Sequence, residues 1–262
     1  MSSATNVSEL ELKIPVESLK YPEWSRDLIG RVRAIIQQAI DTKNNMILIH
    51  TNLRRGLPLE NINKIAGPFV EAWAVEQFEL ISEQKDNGFH LIYVEAGRRL
   101  DVFDVVLQFK RDAAEDAGYL TANVDVKATA QDIVTSGKSP NITSYAKIRS
   151  EYVADADYVF LILSLRHKVY GERDPQTGMT NGIMEVVSCA VYDLKYLSES
   201  DISYNPALGT GQIQIRDMQY ISTKPRTTVE FVQILDAKFI RSQGEQKWRE
   251  FARKYQWIKE DV

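Results

Sequence analysis

The sequence predicts an α/β protein with a mixed central β-sheet flanked by helices. Three observations predict it. An apolar stripe at helical spacing runs from Trp24 to Ile40, and three short β-rich runs follow at 89–95, 104–109 and 123–129. After a further helical stretch comes Tyr158–Leu165, almost continuously apolar, which is the mark of a strand covered on both faces. The order helix, three strands, helix, strand builds a mixed sheet with helices packed against it.

The elements are justified in turn. In the first helix Leu28, Ile29, Val32, Ile35, Ile36, Ala39 and Ile40 share one face, and Ser25 or Asp27 caps its start. Met46–His50 reads as a short strand, and 51–58 as a basic, irregular stretch. Gly67 and Pro68 open the second helix, since proline in a first turn loses no hydrogen bond. Its buried face is Val70, Trp73, Ala74, Phe78 and Ile81, and the pattern fades near Gln84. Lys110–Tyr119 is polar, contains Gly118, and reads as a long turn between strands. A loop spans Ala130–Asn141, and a helix spans Ile142–Tyr152 with Asn141 or Thr143 near its cap. Ile183–Tyr196 is another apolar stretch, Ser203–Gly211 a loop, Gln212–Ile221 a half-buried strand, and Thr227–Ile240 and Glu245–Ile258 are helices. With no repeat and no linker, residues 1–262 read as a single domain whose first 12 residues are frayed.

Composition narrows the class. The chain has 262 residues, 44% hydrophobic, so it can bury a sizeable core and is not a disordered chain. No apolar run approaches the roughly 20 residues that span a bilayer, and the N-terminus carries no secretory pattern. The single cysteine, Cys189, permits no internal disulfide, reads as a small buried apolar residue, and fits a reducing, cytoplasmic setting. A net charge of -4 argues against a nonspecific nucleic-acid coat protein but leaves room for a local basic groove.

The chemistry-bearing motif is Asp125-Val126-Lys127. Alternate side chains of a strand share a face, so Asp125 and Lys127 project together. A carboxylate there can hold a hard cation such as Mg²⁺ while the lysine orients or deprotonates an attacking water, as metal-assisted phosphodiester hydrolysis requires. Acid-x-Lys also occurs at Glu11, Asp41, Glu83, Asp193, Asp236 and Glu245, so the triplet alone reads as an exposed ion pair. Asp104 changes the weighting. It heads the preceding β-run, and if the two runs pair, two carboxylates and a lysine meet at one sheet edge. As a strand-start acid, Asp104 has a plain alternative role.

An acid on one strand followed by Asp-x-Lys on the next resembles the PD-(D/E)xK nuclease family, although Phe103 stands where the pattern has proline. The closer resemblance is to the HpaI-like type II restriction endonucleases. It is carried by 51–68 (TNLRRGLPLENINKIAGP), 123–129 (NVDVKAT), 136–143 (SGKSPNIT) and 203–215 (SYNPALGTGQIQI), and extends from about Lys13 to about Lys259. A more distant likeness to HincII-like enzymes rests on 67–69, 125–127, 140–142 and 212–214. The resemblance implies a PD-(D/E)xK restriction-endonuclease-like core and a bacterial homodimer acting on double-stranded DNA with Mg²⁺. It further implies the site GTTAAC, cut at its centre to blunt ends with 5′-phosphates. Carried onto this sequence, Asp104, Asp125 and the Val126 carbonyl would be metal ligands, and Lys127 would lie near the nucleophilic water.

Reading DNA sequence requires side chains that reach base edges. Lys138, Ser139 and Asn141 after the Asp-x-Lys strand, and Asn205, Ala207, Gln212 and Gln214 further on, lie in segments that the resemblance places at the bases. Asn141 reads equally as a helix cap and Asn205 as a turn former. Gln212 and Gln214 share a strand face. Arg54, Arg55, Lys138, Lys147, Arg149, Lys224 and Arg226 are candidate phosphate contacts, with Arg98 and Arg99 undecided; for each, a solvated charge is the plainer reading. Glu71 reads as a helix-surface charge before it reads as a further acid near the metal. Two rivals stay open: a structure-specific or repair nuclease of the same fold, which needs neither dimer nor reading loops, and a catalytically inert DNA-binding module.

Overall fold

A computed structural model describes residues 12–13, 16–98, 101–111, 118–131, 140–206, 211–216 and 221–259. The chain folds as two compact units, one of Pro22–Lys138 and Val159–Leu194, the other of Met1–Tyr21, Ser139–Tyr158 and Lys195–Val262. The first unit is a mixed sheet flanked by helices, the predicted class. Its strands are β1 (Met46–Ile49), β2 (Leu91–Ala96), β3 (Val105–Lys110), β4 (Tyr119–Ala130), β6 (Phe160–Arg173) and β7 (Thr180–Asp193), in the order β1-β7-β6-β4-β3-β2. The β4–β6 pair is parallel and all other pairs are antiparallel. β6 is buried from Phe160 to Leu165, as its almost continuous apolar run predicts. β3 alternates instead, with Val105, Leu107 and Phe109 fully buried between half-buried neighbours.

Two helices flank this sheet. α1 (Tyr21–Asp41) buries Leu28, Val32, Ile35 and Ile36, and its Ser25 hydroxyl donates to Asp193 on β7 at 2.6 Å. Ser25 is therefore a buried tie to the sheet and not a cap. Cys189, on β7, is half-buried below α1, with burial pushing its thiol pKa up. α2 (Leu59–Ser82) packs against β1, β2, β4, β6 and β7. It starts two turns before the Gly67 expected from sequence, after Pro58, and carries Pro68 in its interior. An interior proline costs about 3 kcal/mol. Buried Ile62 and Ala66 extend the Val70 stripe at four-residue spacing, and a buried aliphatic side chain returns roughly 1.5–3 kcal/mol, so packing offsets the break.

The second unit holds a three-stranded sheet in the order β5-β9-β8, with β5 (Asn141–Ser144), β8 (Ile202–Asn205) and β9 (Gln212–Ile215), and helices α3 (Tyr145–Ala154), α4 (Thr228–Gln243) and α5 (Glu245–Lys254). α3 starts three residues later than expected, because Asn141–Ser144 pairs with β9, and Ser144 is its N-cap. β8 lies partly where a loop was expected, since it too pairs with β9. α4 is closed by a reciprocal cap between Thr227 and Glu230.

Candidate active site

The site is built by the β3–β4 hairpin. Its register sets Val105 opposite Val124, which brings Asp104, one residue before β3, level with Asp125. The Asp104 amide donates to the Val124 carbonyl at 2.9 Å, and Asp104 Oδ2 accepts from the Val126 amide at 2.7 Å. The carboxylate is thus turned toward β4. On β4, Asp125 and Lys127 share a face as the two-residue period requires. Lys127 Nζ donates to Asp125 Oδ1 at 2.8 Å and to the Val126 carbonyl at 3.1 Å, and lies 3.8 Å from Asp104 Oδ2. Both carboxylates therefore face one ammonium. Asp125 is only 3% exposed, and its buried Oδ2 has no hydrogen-bond partner.

Burial dominates the electrostatics. It pushes the Asp125 carboxyl up to about 8, opposed by the Lys127 charge and reinforced by Asp104 and Glu71. Burial pulls the Lys127 ammonium down, but the Asp125 and Asp104 carboxylates outweigh it and hold Lys127 above its ordinary value. Glu71, on α2, is half-buried and raised, by burial first and then by Asp104. The structure therefore moves Glu71 from the helix surface, where sequence reasoning set it first, into the electrostatic field of the site. Its only sequence signal was its helical phase, at the edge of the stripe formed by Val70 and Ala74.

The donors suit a hard cation. Asp104, the orphaned Oδ2 of Asp125 and the Val126 carbonyl offer oxygen only, and Mg²⁺ commonly takes one or two carboxylates and fills its remaining positions with water and phosphate oxygens. Among the described residues, no group of three or more acidic, histidine or cysteine side chains forms a metal cage.

A second cluster lies on the small sheet of the other unit. Asn141 pairs with Gln214 across β5 and β9, and Gln212 pairs with Asn205 across β9 and β8. Gln214 Nε2 donates to Asn141 Oδ1 at 2.8 Å. Asn141 is exposed; Asn205, Gln212 and Gln214 are half-buried. Four of the predicted reading residues thus sit on one three-stranded sheet, and Asn141 is a strand residue, not the helix cap. Lys138, Ser139 and Ala207 lie outside the described residues, as does Arg99.

The basic residues divide. Arg54, Arg55, Arg98 and Lys224 are exposed. Arg149 is 1% exposed and paired bidentately with Asp236 at 3.0 and 3.0 Å, so it is a core residue and not a phosphate contact. Arg226 donates to the Leu197 carbonyl at 2.6 Å.

With this geometry in place, the comparisons with known proteins decide the family. The profile described as type II restriction endonuclease HpaI matches residues 8–256. The chain belongs to this family. Type II restriction enzyme HpaI of Haemophilus parainfluenzae is 51% identical over 255 residues, covering 96% of this chain and 98% of that protein. Among solved structures, NlaIV restriction endonuclease matches with a TM-score of 0.47 at 13% identity, over 85% of each chain. The HpaI family is one of type II restriction endonucleases, so this chain is a site-specific deoxyribonuclease. No helix among the described residues is long and apolar enough to cross a membrane.

Proposed function

We propose that this chain is a Mg²⁺-dependent, homodimeric type II restriction endonuclease with a PD-(D/E)xK site, cutting double-stranded DNA at GTTAAC. The cut falls at the centre of the site and leaves blunt ends with 5′-phosphates. The observation that carries the chemistry is the convergence of Asp104, Asp125 and Lys127, with one buried Asp125 oxygen left unpartnered. The 51% identity to HpaI supports the site and the mode of cutting. Such an enzyme works in the bacterial cytoplasm, where invading DNA arrives.

In this reading Asp104, Asp125 and the Val126 carbonyl hold the cation. A magnesium ion held there would supply charge neutralisation at the scissile phosphate and a more acidic water. The water oxygen bonds to phosphorus and gives up one proton, the bond from phosphorus to the 3′ oxygen breaks, and that oxygen takes a proton from solvent, so that one water is consumed for each bond cut. Lys127, 2.8 Å from Asp125 and 3.8 Å from Asp104, orients the attacking water or helps to deprotonate it, and offsets charge on phosphorus. Asn141, Asn205, Gln212 and Gln214, with Lys138, Ser139 and Ala207, read bases. Arg54, Arg55 and Lys224 contact phosphates and position the duplex. Glu71 adds negative charge beside Asp104.

A plasmid with one GTTAAC, incubated with protein and Mg²⁺, yields one linear product whose ends map to the centre of that site. Asp125→Ala and Lys127→Ala each lower the cleavage rate by about 10³-fold or more, because several kcal/mol of charge stabilisation is lost. Wild-type rates in either variant overturn the mechanism. Discrete fragments ending elsewhere overturn the site.

A further inference from the structure

We propose that Gly97 is a positioning residue for the cleavage reaction: its bare backbone lets the end of β2 close on Phe103 and Asp104, and that closure sets the Asp104 carboxylate. The inference rests on the proposed role of Asp104 as a metal ligand. It begins from a backbone contact. The Gly97 amide donates to the Asp104 carbonyl at 2.6 Å, closing the loop from β2 to β3. The loop is also tied from within, where the Arg98 amide donates to Asp101 Oδ2 at 2.7 Å and the Asp101 amide to the Arg98 carbonyl at 2.9 Å.

Asp104 is therefore held from two sides. Its carbonyl is held by Gly97, its amide by the Val124 carbonyl, and its carboxylate then reaches the Val126 amide. No side chain fits at position 97. A Cβ there would overlap the Phe103 carbonyl oxygen and stand 3.1 Å from the Asp104 oxygen. Both obstacles are backbone atoms, which cannot rotate away as a flexible side chain could. Gly97 is not among the glycines with positive φ, so the requirement is close approach and not dihedral freedom. Even alanine must push the Phe103–Asp104 segment outward, by a distance on the order of 1 Å, which is enough misplacement to cost about 10²-fold in rate. Asp125 and Lys127 lie within β4 and keep their places, so the loss falls on Asp104 alone.

The test is Gly97→Ala beside Asp104→Ala and the control Gly88→Ala, where a Cβ meets nothing within 4 Å. Circular dichroism and metal-free DNA affinity first establish that each variant folds and binds. Mn²⁺ alone, titrated into each protein and followed by the paramagnetic resonance of the free ion, then reads the site without turnover. Gly97→Ala is expected to weaken Mn²⁺ binding, to lower kcat by about 10²-fold with KM for DNA unchanged, and to recover partly at high Mg²⁺. Gly88→Ala behaves as wild type. Wild-type Mn²⁺ affinity and kcat in Gly97→Ala, with Asp104→Ala inactive, overturn the role of Gly97 and leave that of Asp104 standing. Normal cleavage by Asp104→Ala overturns the underlying reading instead. If Gly97→Ala fails to fold, hydrogen exchange at the Gly97 amide of the wild-type protein is followed with and without Mn²⁺: slower exchange on Mn²⁺ binding is expected, because that amide holds the Asp104 carbonyl, and unchanged exchange overturns the proposal.

Discussion

His167 sits on β6, 2% exposed, with neither ring nitrogen hydrogen-bonded. It adjoins the irregularity in pairing between β6 and β7 at Arg166 and His167. Burial holds its pKa below the ordinary 6.5. The sign follows: as pH falls through 6.5 the unfolded chain takes up a proton that the folded chain refuses, so the stability is fully present above 6.5 and is lost as pH falls toward the folded value. We expect urea unfolding to show lower stability at pH 5.5 than at pH 7.5, by at most about 1.4 kcal/mol per pH unit from this group. His167→Leu should flatten that slope, and equal slopes in the two proteins would refute the assignment. The same contrast between burial and partnership separates the acids of the candidate site. Asp125 was legible as a site residue because the two-residue period pairs it with Lys127. Glu71 was legible only as a second reading behind a helix-surface charge, because only its half-buried place on α2 distinguishes it from the many exposed glutamates.

At the scale of elements, α3 and α4 are joined by a buried polar network. Arg149 of α3 meets Asp236 of α4, Tyr145 donates to the same carboxylate at 2.7 Å, and the Arg149 guanidinium lies 4.9 Å from the centre of the Trp257 ring. Burial, with the Asp236 charge behind it, raises the Tyr145 pKa well above its ordinary value, so the hydroxyl stays a donor. Removing one partner of such a pair leaves a buried charge uncompensated, at about 3–5 kcal/mol. We therefore expect Asp236→Ala to lower stability by that amount in chemical denaturation, and Arg149→Met combined with Asp236→Leu to lose much less. A loss below about 1 kcal/mol in the single variant would rule out a buried ion pair. The network also explains a failure of sequence reading. Arg149 was counted among surface cations because nothing within its helix names an acid 87 residues away. The early start of α2 and the strand β5 escaped for related reasons. Pro68 is a local break that Ile62 and Ala66 override through packing, and Asn141–Ser144 is extended only because β9 pairs with it.

For the whole molecule, a palindromic site asks for a two-fold enzyme, in which one protomer serves each half-site. We expect sedimentation equilibrium to give twice the protomer mass, with both strands cut in one binding event; a monomer that nicks one strand at a time would contradict the homodimer. By itself the sequence determined the mixed α/β class, the strands β3, β4 and β6, and the pairing of Asp125 with Lys127 on one strand face, because these depend on short-range periodicity and on residues two positions apart. Tertiary structure alone decided that Asp104 stands level with Asp125, that Arg149 is internal, and that Asn141, Asn205, Gln212 and Gln214 share one small sheet. Those facts are set by strand register and by contacts between segments far apart in the chain. Register is chosen by which apolar faces bury together, and no local window of residues contains both partners.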